Sequence, residues 1–406
     1  MPKDIVISCD GTGNEIGANI SNVLKLFRVT DKEDRQRVYY HPGLGTIGLQ
    51  STWGRFKQKV RGLFGLAFGA GLDEDTLSAY TFLCRTWEPG DRVWLFGFSR
   101  GAYTVRVLAA FVNVMGLLPV DQLDLAGYAF STYKKASSDA QKPDGSFDEA
   151  PLKEAWHFSQ IAGGRNIDIE FIGVWDTVAS IIVPRQDNFL FDLQMLLFTR
   201  KNPCVKRFRQ AISIDERRRM FRLNSWKEPQ GYEVDRFDRT TEVPQDIRQV
   251  WFAGVHSDVG GGYPEVESGL SKFPLIWMLA QAKDAGLQVN QALIDHFAWG
   301  MPLPPPAHAY VPPSPTAPLH NSLTGPWEIL EWIPKSDKWK EWPARKSFLG
   351  FYLPMGEPRL IPDGAIIHRS VLERIEKVPS YRPINMPEKY EIEELTPPPE
   401  PPAPTA

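Results

Sequence analysis

The chain has 406 residues, with 46 Lys and Arg against 49 Asp and Glu and a formal net charge of -3. That length can bury a large core, as one large domain or two smaller ones, and so even a charge balance gives no footing for nucleic-acid binding. Cys9, Cys84 and Cys204 are odd in number and lack metal-ligand spacing, which suggests neither a disulfide framework nor a zinc site and points to buried reduced thiols, with no cofactor and no metal expected.

The first ten residues lack the apolar stretch and small-residue cleavage site of a secretory signal, and no run of eighteen or more uncharged apolar residues follows. Synthesis in the cytoplasm without a transmembrane helix is expected. Ile5 to Cys9 reads as a strand that ends in the polar loop Asp10-Gly11-Thr12-Gly13-Asn14-Glu15. Ser21 to Val29 has helical spacing in Val23, Leu24, Leu26 and Phe27, with Ser21 as its cap. Val38-Tyr39-Tyr40 is a second strand, closed by His41 to Thr46. Trp53 to Leu66 mixes Trp53, Phe56, Leu63 and Phe64 with Arg55, Lys57, Lys59 and Arg61, a composition suited to an anionic membrane interface or to a packed helix with a solvated basic face. A helix runs from Gly71 to about Trp87, with Asp73, Glu74 and Asp75 in its first turn, where the helix dipole favours them.

Pro89-Gly90-Asp91 turns the chain into Val93-Trp94-Leu95-Phe96, a wholly apolar run of strand formers, as a strand buried on both faces should be. Gly97-Phe98-Ser99-Arg100-Gly101 follows, then a segment to Leu118 whose one charge is Arg106. A G-x-S-x-G pentapeptide alone is weak, but between a buried strand and a buried helix it is the sharp turn that exposes a serine hydroxyl at the top of a sheet. Asp121 to Arg165 reads as polar and irregular, with Lys134 to Asp148 as a mobile loop. Ile167 to Trp175 is a strand that ends at Asp176, and Phe189 to Phe198, apolar and followed by basic residues from Arg200 to Arg209, suits either a lid over an acyl pocket or a packed helix.

Asp215-Glu216-Arg217-Arg218-Arg219 reads as a solvated or salt-bridged face. Gln249 to Val255 is the last core strand and delivers His256-Ser257-Asp258-Val259-Gly260-Gly261-Gly262-Tyr263. Leu275 to Ala285 is a helix stopped by Gly286, Pro302 to Pro326 is a proline-rich surface crossing, His368 to Lys377 is a short helix, and Thr396 to Ala406 is a disordered tail. Strands separated by helices predict a mostly parallel central sheet flanked by helices, with inserted loops and a C-terminal extension. The expected division is a catalytic domain over 1–295, an extension packed on it over 296–395, and the tail over 396–406.

A serine hydroxyl needs a base to take its proton, and the base needs a third group to fix its tautomer. In parallel sheets such groups gather at the strand ends. Asp176 and His256 each sit just past an apolar strand, and the order Ser99, Asp176, His256 is that of α/β-hydrolases. His368, after Ala365-Ile366-Ile367, competes for the role of base, while Asp258 and Asp215 compete for the acid. The oxyanion formed on attack needs two backbone donors: the N–H of Arg100 supplies one, and Gly11, Thr12 or Gly13 is suited to the other, unless that loop is merely a turn.

Cys9 to Asn14, Gly97 to Tyr103 with its GFSRGA run, Gly173 to Val178, and Gly254 to Tyr263 together resemble the signature blocks of a bacterial and fungal α/β-hydrolase family. Its best-known members are the first class of type VI secretion lipase effectors, which are phospholipases. The resemblance covers Pro2 to Leu287 and implies Ser99 as nucleophile, Asp176 as acid and His256 as base. It implies a serine ester hydrolase of phospholipase A type acting on glycerophospholipids, with peripheral membrane contact, a secretion or immunity partner protein, and export by a specialised secretion system. The chain departs from the large effectors in lacking an extended C-terminal membrane-associating region. Two other readings remain: an esterase or lipase on soluble or neutral esters, and a non-catalytic membrane- or partner-binding module that retains the fold.

Overall fold

The computed structural model describes residues 2–11, 19–43, 71–141, 148–178, 182–184, 191–193, 196–234, 241–304, 308–337 and 340–399. The amphipathic stretch 53–66, Thr12, Gly13, residues 189, 190, 194 and 195 of the expected lid and the end of the tail lie outside them. The main strands are β1 (Asp4–Cys9), β2 (Gln36–His41), β3 (Arg92–Phe98), β4 (Ile169–Trp175), β5 (Val205–Ser213), β6 (Asp246–Phe252), β7 (Ala365–His368) and β8 (Tyr390–Glu393). The α-helices are α1 (Asn22–Val29), α2 (Leu72–Thr86), α3 (Arg100–Met115), α4 (Ala126–Asp139), α5 (Ala150–Ile161), α6 (His256–Gly260), α7 (Lys272–Asp284), α8 (Gln291–Trp299), α9 (Pro326–Leu330) and α10 (Arg369–Lys377). The strands form one sheet in the order β8-β7-β6-β5-β4-β3-β1-β2. The pairs β1–β2, β1–β3, β3–β4, β6–β7 and β7–β8 are parallel. This is a mostly parallel, helix-flanked sheet of the α/β-hydrolase kind.

The chain divides into two compact units, the first comprising Met1–Glu15, Lys32–Gln210 and Arg222–Arg248. Its β1 and β4 are buried along their whole length, and β3 from its second residue, which accounts for their nearly unbroken apolar sequence. Ile5, Ile7, Val93, Leu95, Ile172 and Val174 from these strands join one core with Tyr80 and Leu83 of α2 and Val105, Leu108, Phe111 and Val112 of α3. Arg106 is fully buried in α3. Its guanidinium donates to the Asn224 carbonyl at 2.5 Å and to Gln210 Oε1 at 3.0 Å, and lies over the Phe208 and Trp226 rings. Burial pushes its pKa down to about 9.

The region 121–165 is not irregular as expected. A 3-10 helix (Val120–Leu125) leads into α4 and α5, and residues 134–139 of the expected loop belong to α4. Ala126, Ala129, Phe130, Tyr133 and Ala136 form a buried stripe at helical spacing beneath the polar residues that dominate the composition. The basic segment 205–209 is likewise the start of β5, where Lys206 and Arg207 pair with Glu170 of β4, and Arg209 with Asp246. Of the expected lid, 191–193 form a short antiparallel pair with 182–184.

The second unit comprises Ile16–Asp31, Ala211–Phe221 and Gln249–Ala406. Ser21 caps α1, its Oγ accepting from the Leu24 N–H at 3.1 Å. Asn22 Nδ2 donates to the Val259 and Ser271 carbonyls, each at 2.9 Å, so α1 is tied to the segment that follows His256. The core is formed by Val23, Leu26 and Val29 of α1, Leu275, Trp277, Met278 and Leu279 of α7, and Phe297 of α8. The proline-rich crossing forms no regular element over 308–325, and it is pinned along its length. The Val311 N–H donates to Glu265 Oε1 at 3.1 Å, the Ser314 N–H to the Gly269 carbonyl at 3.2 Å, and Arg374 Nη1 to the carbonyls of Pro315 and Ala317 at 2.6 and 2.7 Å.

Candidate active site

The turn at Ser99 is tight because two glycines leave no room for anything larger. A Cβ on Gly97 would meet the Gly101 carbonyl oxygen at 2.5 Å, and one on Gly101 would meet the Cys9 carbonyl oxygen at 2.1 Å. Ser99 itself has φ 57 and ψ -121, outside the ordinary wells of an L-residue, at the junction of β3 and α3. Such backbone strain is tolerated only where the surroundings hold it, and it commonly marks functional positions. The Ser99 N–H donates to the Trp175 carbonyl at 3.2 Å. Phe98 is opposite Trp175 in the β3–β4 register, so Ser99 and Asp176 leave neighbouring strand ends side by side. Asp176 is fully buried and also has a positive φ, 37.

The loop after β1 packs directly on the first turn of α3, as the contact of Gly101 with Cys9 and Asp10 requires. Asp10 Oδ1 accepts the Gly11 N–H at 2.7 Å, and its Oδ2 accepts the Tyr40 hydroxyl at 2.9 Å. Burial first, then the Asp10 charge, raises the Tyr40 hydroxyl pKa, and burial with the charges of Asp75 and Asp10 raises that of the Cys9 thiol, which stays protonated. Arg100, the first residue of α3, feels the Asp75 carboxylate, yet burial lowers its pKa. Burial raises the Asp75 pKa against the opposing charges of His41 and Arg100. His41 Nε2 lies 3.6 Å from Asp75 Oδ1. Among the described residues no group of three or more His, Cys, Asp and Glu side chains could hold a metal.

In the second unit, β6 begins and ends three residues earlier than the sequence suggests, and Gly254, at φ 118, turns the chain so that His256 opens α6. A Cβ on Gly254 would lie 2.3 Å from the Asp258 Cβ, so this turn too requires glycine. His256 is buried, with its ring edge-on to Phe221 at a centroid separation of 4.8 Å. Its backbone N–H donates to Glu216 Oε2 at 3.2 Å. Of the two readings of the charge cluster, solvated or salt-bridged, Glu216 takes the salt-bridged one. It is buried, and although burial opposes it, Arg218 at 2.8 Å with other nearby cations holds its pKa below the usual carboxylate range. The sequence hides this role because Glu216 sits in a dense charge cluster and its partners are distant in the chain.

The rival residues have structural partners. His368 caps α10, its Nδ1 lying 2.8 Å from Ser370 Oγ and accepting the Ser370 N–H at 3.3 Å, and burial against Phe252 and Phe273 pushes its pKa down to about 3. Asp215 Oδ2 accepts from the Gly254 N–H and the Tyr381 hydroxyl, each at 2.8 Å. Asp258 Oδ2 accepts the Val255 N–H at 3.0 Å, and Oδ1 lies 2.6 Å from His320 Nδ1.

A family model described as the catalytic domain of Tle1-like phospholipase effectors of the type VI secretion system matches residues 3–281. An uncharacterised Saccharomyces cerevisiae protein, YEL023C, is 24% identical over 412 residues, a match that covers 73% of this chain and 59% of the yeast protein. Among solved structures, an uncharacterised Pseudomonas aeruginosa protein aligns at 22% identity and a TM-score of 0.37, over 71% of this chain and 47% of that one. The Tle1 effector bound to the VgrG spike of the type 6 secretion system aligns at 21% identity and a TM-score of 0.32, over 66% of this chain and 52% of that one. This chain thus spans less than two thirds of the length of each of these relatives.

Proposed function

The chain belongs to the family of Tle1-like phospholipase effectors through their catalytic domain, and from that premise we propose that it hydrolyses carboxylic esters of glycerophospholipids through an acyl-Ser99 intermediate. Family membership supports lipid hydrolysis in general; the serine mechanism and the substrate are our reading. The observation that carries it is the strained Ser99, wedged between two glycines that can bear no Cβ and directly beside the end of the strand that bears Asp176.

In this mechanism His256 takes the Ser99 proton as Oγ attacks the ester carbonyl, then protonates the departing alcohol and activates the water that frees the acyl group. Asp176 orients the imidazole and stabilises its charged form. The Arg100 N–H is one oxyanion donor; of Gly11, Thr12 and Gly13, the Gly11 N–H is taken by Asp10 Oδ1, so Thr12 or Gly13 is left to supply the second. Residues 1–295 act as the catalytic domain and 296–395 as its extension, ahead of a tail over 396–406. Membership in a family of type VI secretion effectors supports assigning this chain a secretion partner and export by that route. Among the described residues no helix is long and apolar enough to cross a membrane, and contact with lipid is peripheral in this reading.

A fluorophosphonate probe is expected to label the wild type and not Ser99→Ala, and turnover of phospholipid vesicles should fall at least about 10³-fold in that variant. Mass spectrometry of the vesicle products should show lysolipid and free fatty acid. Labelling that persists in Ser99→Ala overturns the nucleophile. Turnover of soluble esters with no lysolipid overturns the phospholipid assignment.

A further inference from the structure

Two buried carboxylates hold the backbone that carries His256. Glu216 accepts the His256 N–H and Asp258 accepts the Val255 N–H, the donors of two successive peptide units. Both are held in turn by the proline-rich crossing. Ser322 Oγ lies 3.2 and 3.1 Å from the two Glu216 oxygens, His320 Nδ1 lies 2.6 Å from Asp258 Oδ1, and the His320 N–H lies 3.3 Å from Asp258 Oδ2. The other ring nitrogen of His320 is 3.0 Å from Glu267 Oε2, and the ring stacks on Tyr263 at 3.6 Å. An ionised carboxylate only accepts hydrogen bonds, so an imidazole with one at each nitrogen carries a proton on each. With both carboxylates ionised, protonated His320 bridges Asp258 and Glu267.

We propose that His320 and Ser322 are positioning residues for His256: the crossing, which lies beyond the family-matched residues 3–281, closes a charged clamp around the base. The proposal rests on the reading of His256 as the base. Its physical ground is that a base must sit within hydrogen-bond reach of the proton it removes, and a misplacement of about 1 Å can cost on the order of 10²-fold in rate. Neither contact involves the catalytic atoms, so both act through the backbone at 255 and 256.

The clamp has a direction in pH. The titratable groups facing His320 are Asp258 from α6, Glu267 from the 3-10 helix Glu265–Glu267, and Tyr263. Around these, Arg218 and Glu216 act on Tyr263, and Asp258 acts in turn on Asp215 and Tyr381. Burial alone would lower the His320 pKa, but the bonds and charges of Glu267 and Asp258 outweigh it and raise the pKa. Loss of the proton points a lone pair at a carboxylate, so the clamp holds below that pKa and loosens above it.

Hydrogen exchange of the segment 253–262, corrected for intrinsic rates, and the pH profile of kcat on a short-chain nitrophenyl ester together test this. For His320→Gln and Ser322→Ala, exchange should rise, and kcat should fall about tenfold with KM within about twofold. Glu267→Gln, a change at a half-exposed side chain, should shift the alkaline limb of kcat to lower pH, which a merely structural contact would not do. Exchange and pH profiles in His320→Gln and Glu267→Gln that match the wild type overturn the clamp. If His256→Ala keeps wild-type turnover, it is the base assignment that fails; if His256→Ala is inactive while His320→Gln is indistinguishable from wild type, the clamp alone fails.

Discussion

At Gly101 the α carbon of one residue fixes the distance between the loop after β1 and the helix that carries the Ser99 turn. A methyl group there would overlap the Cys9 carbonyl carbon at 2.5 Å and the Asp10 carbonyl oxygen at 2.6 Å, both backbone atoms that cannot swing aside. Gly101→Ala is therefore expected to cost about 3 kcal/mol or more, read as a lowered urea midpoint, with loss of probe labelling in whatever fraction still folds. An unfolding free energy within about 0.5 kcal/mol of wild type would show that the loop can retreat. Of the candidate residues, the places of Ser99, Asp176 and His256 just past β3, β4 and β6 were legible because each follows an apolar strand of clear pattern. Glu216 and His320 were not. Their roles depend on bonds to residues 40 and 62 positions away, and no local periodicity encodes such contacts.

Elements differ in how much of their cause is local. The cap of α1 is readable directly: Ser21 precedes an apolar stripe, and its Oγ meets the Leu24 N–H. Ser21→Ala should cost about 1 kcal/mol and speed exchange of the amides at 23–25, while Ser21→Asn should keep both near wild type. Equal exchange in the two variants would mean that packing, rather than the cap, fixes the start of the helix. The strand β5 was hidden for the opposite reason. Lys206, Arg207 and Arg209 look like a solvated basic run until Glu170 and Asp246 are brought alongside them. The helix α4 lay within reach of the sequence: its small and aromatic residues recur at helical spacing, but Ala and Gly among many polar residues gave the appearance of a loop. Strands β7 and β8 are four residues each, and Tyr390-Glu391-Ile392-Glu393 alternates as a sheet-edge strand does, too briefly to separate from an irregular segment.

For the whole molecule, stability should depend on pH through His368. Burial pushes its pKa from 6.5 to about 3 in the folded protein, so the folded state keeps it neutral while the unfolded chain takes up a proton below about 6.5. Stability from this group is complete above the unfolded value and is lost as pH falls from about 6.5 toward about 3, by at most about 1.4 kcal/mol per unit. Urea midpoints measured from pH 7 down to 4.5 should show this slope in the wild type and a shallower one in His368→Asn, which retains a capping side chain; identical slopes would assign the acid sensitivity elsewhere. The clamp on the His256 backbone has one further consequence, and it concerns time. Translation delivers His256 roughly 60 residues before His320, an interval of about 3–12 s at ~5–20 residues per second. During that interval the nascent chain holds all three proposed catalytic residues without the segment that seats the base. If His320 and Ser322 seat the proposed base, the order of the gene makes full activity a late event in synthesis, with the last part of the proposed site arriving after the family-matched residues 3–281 have emerged.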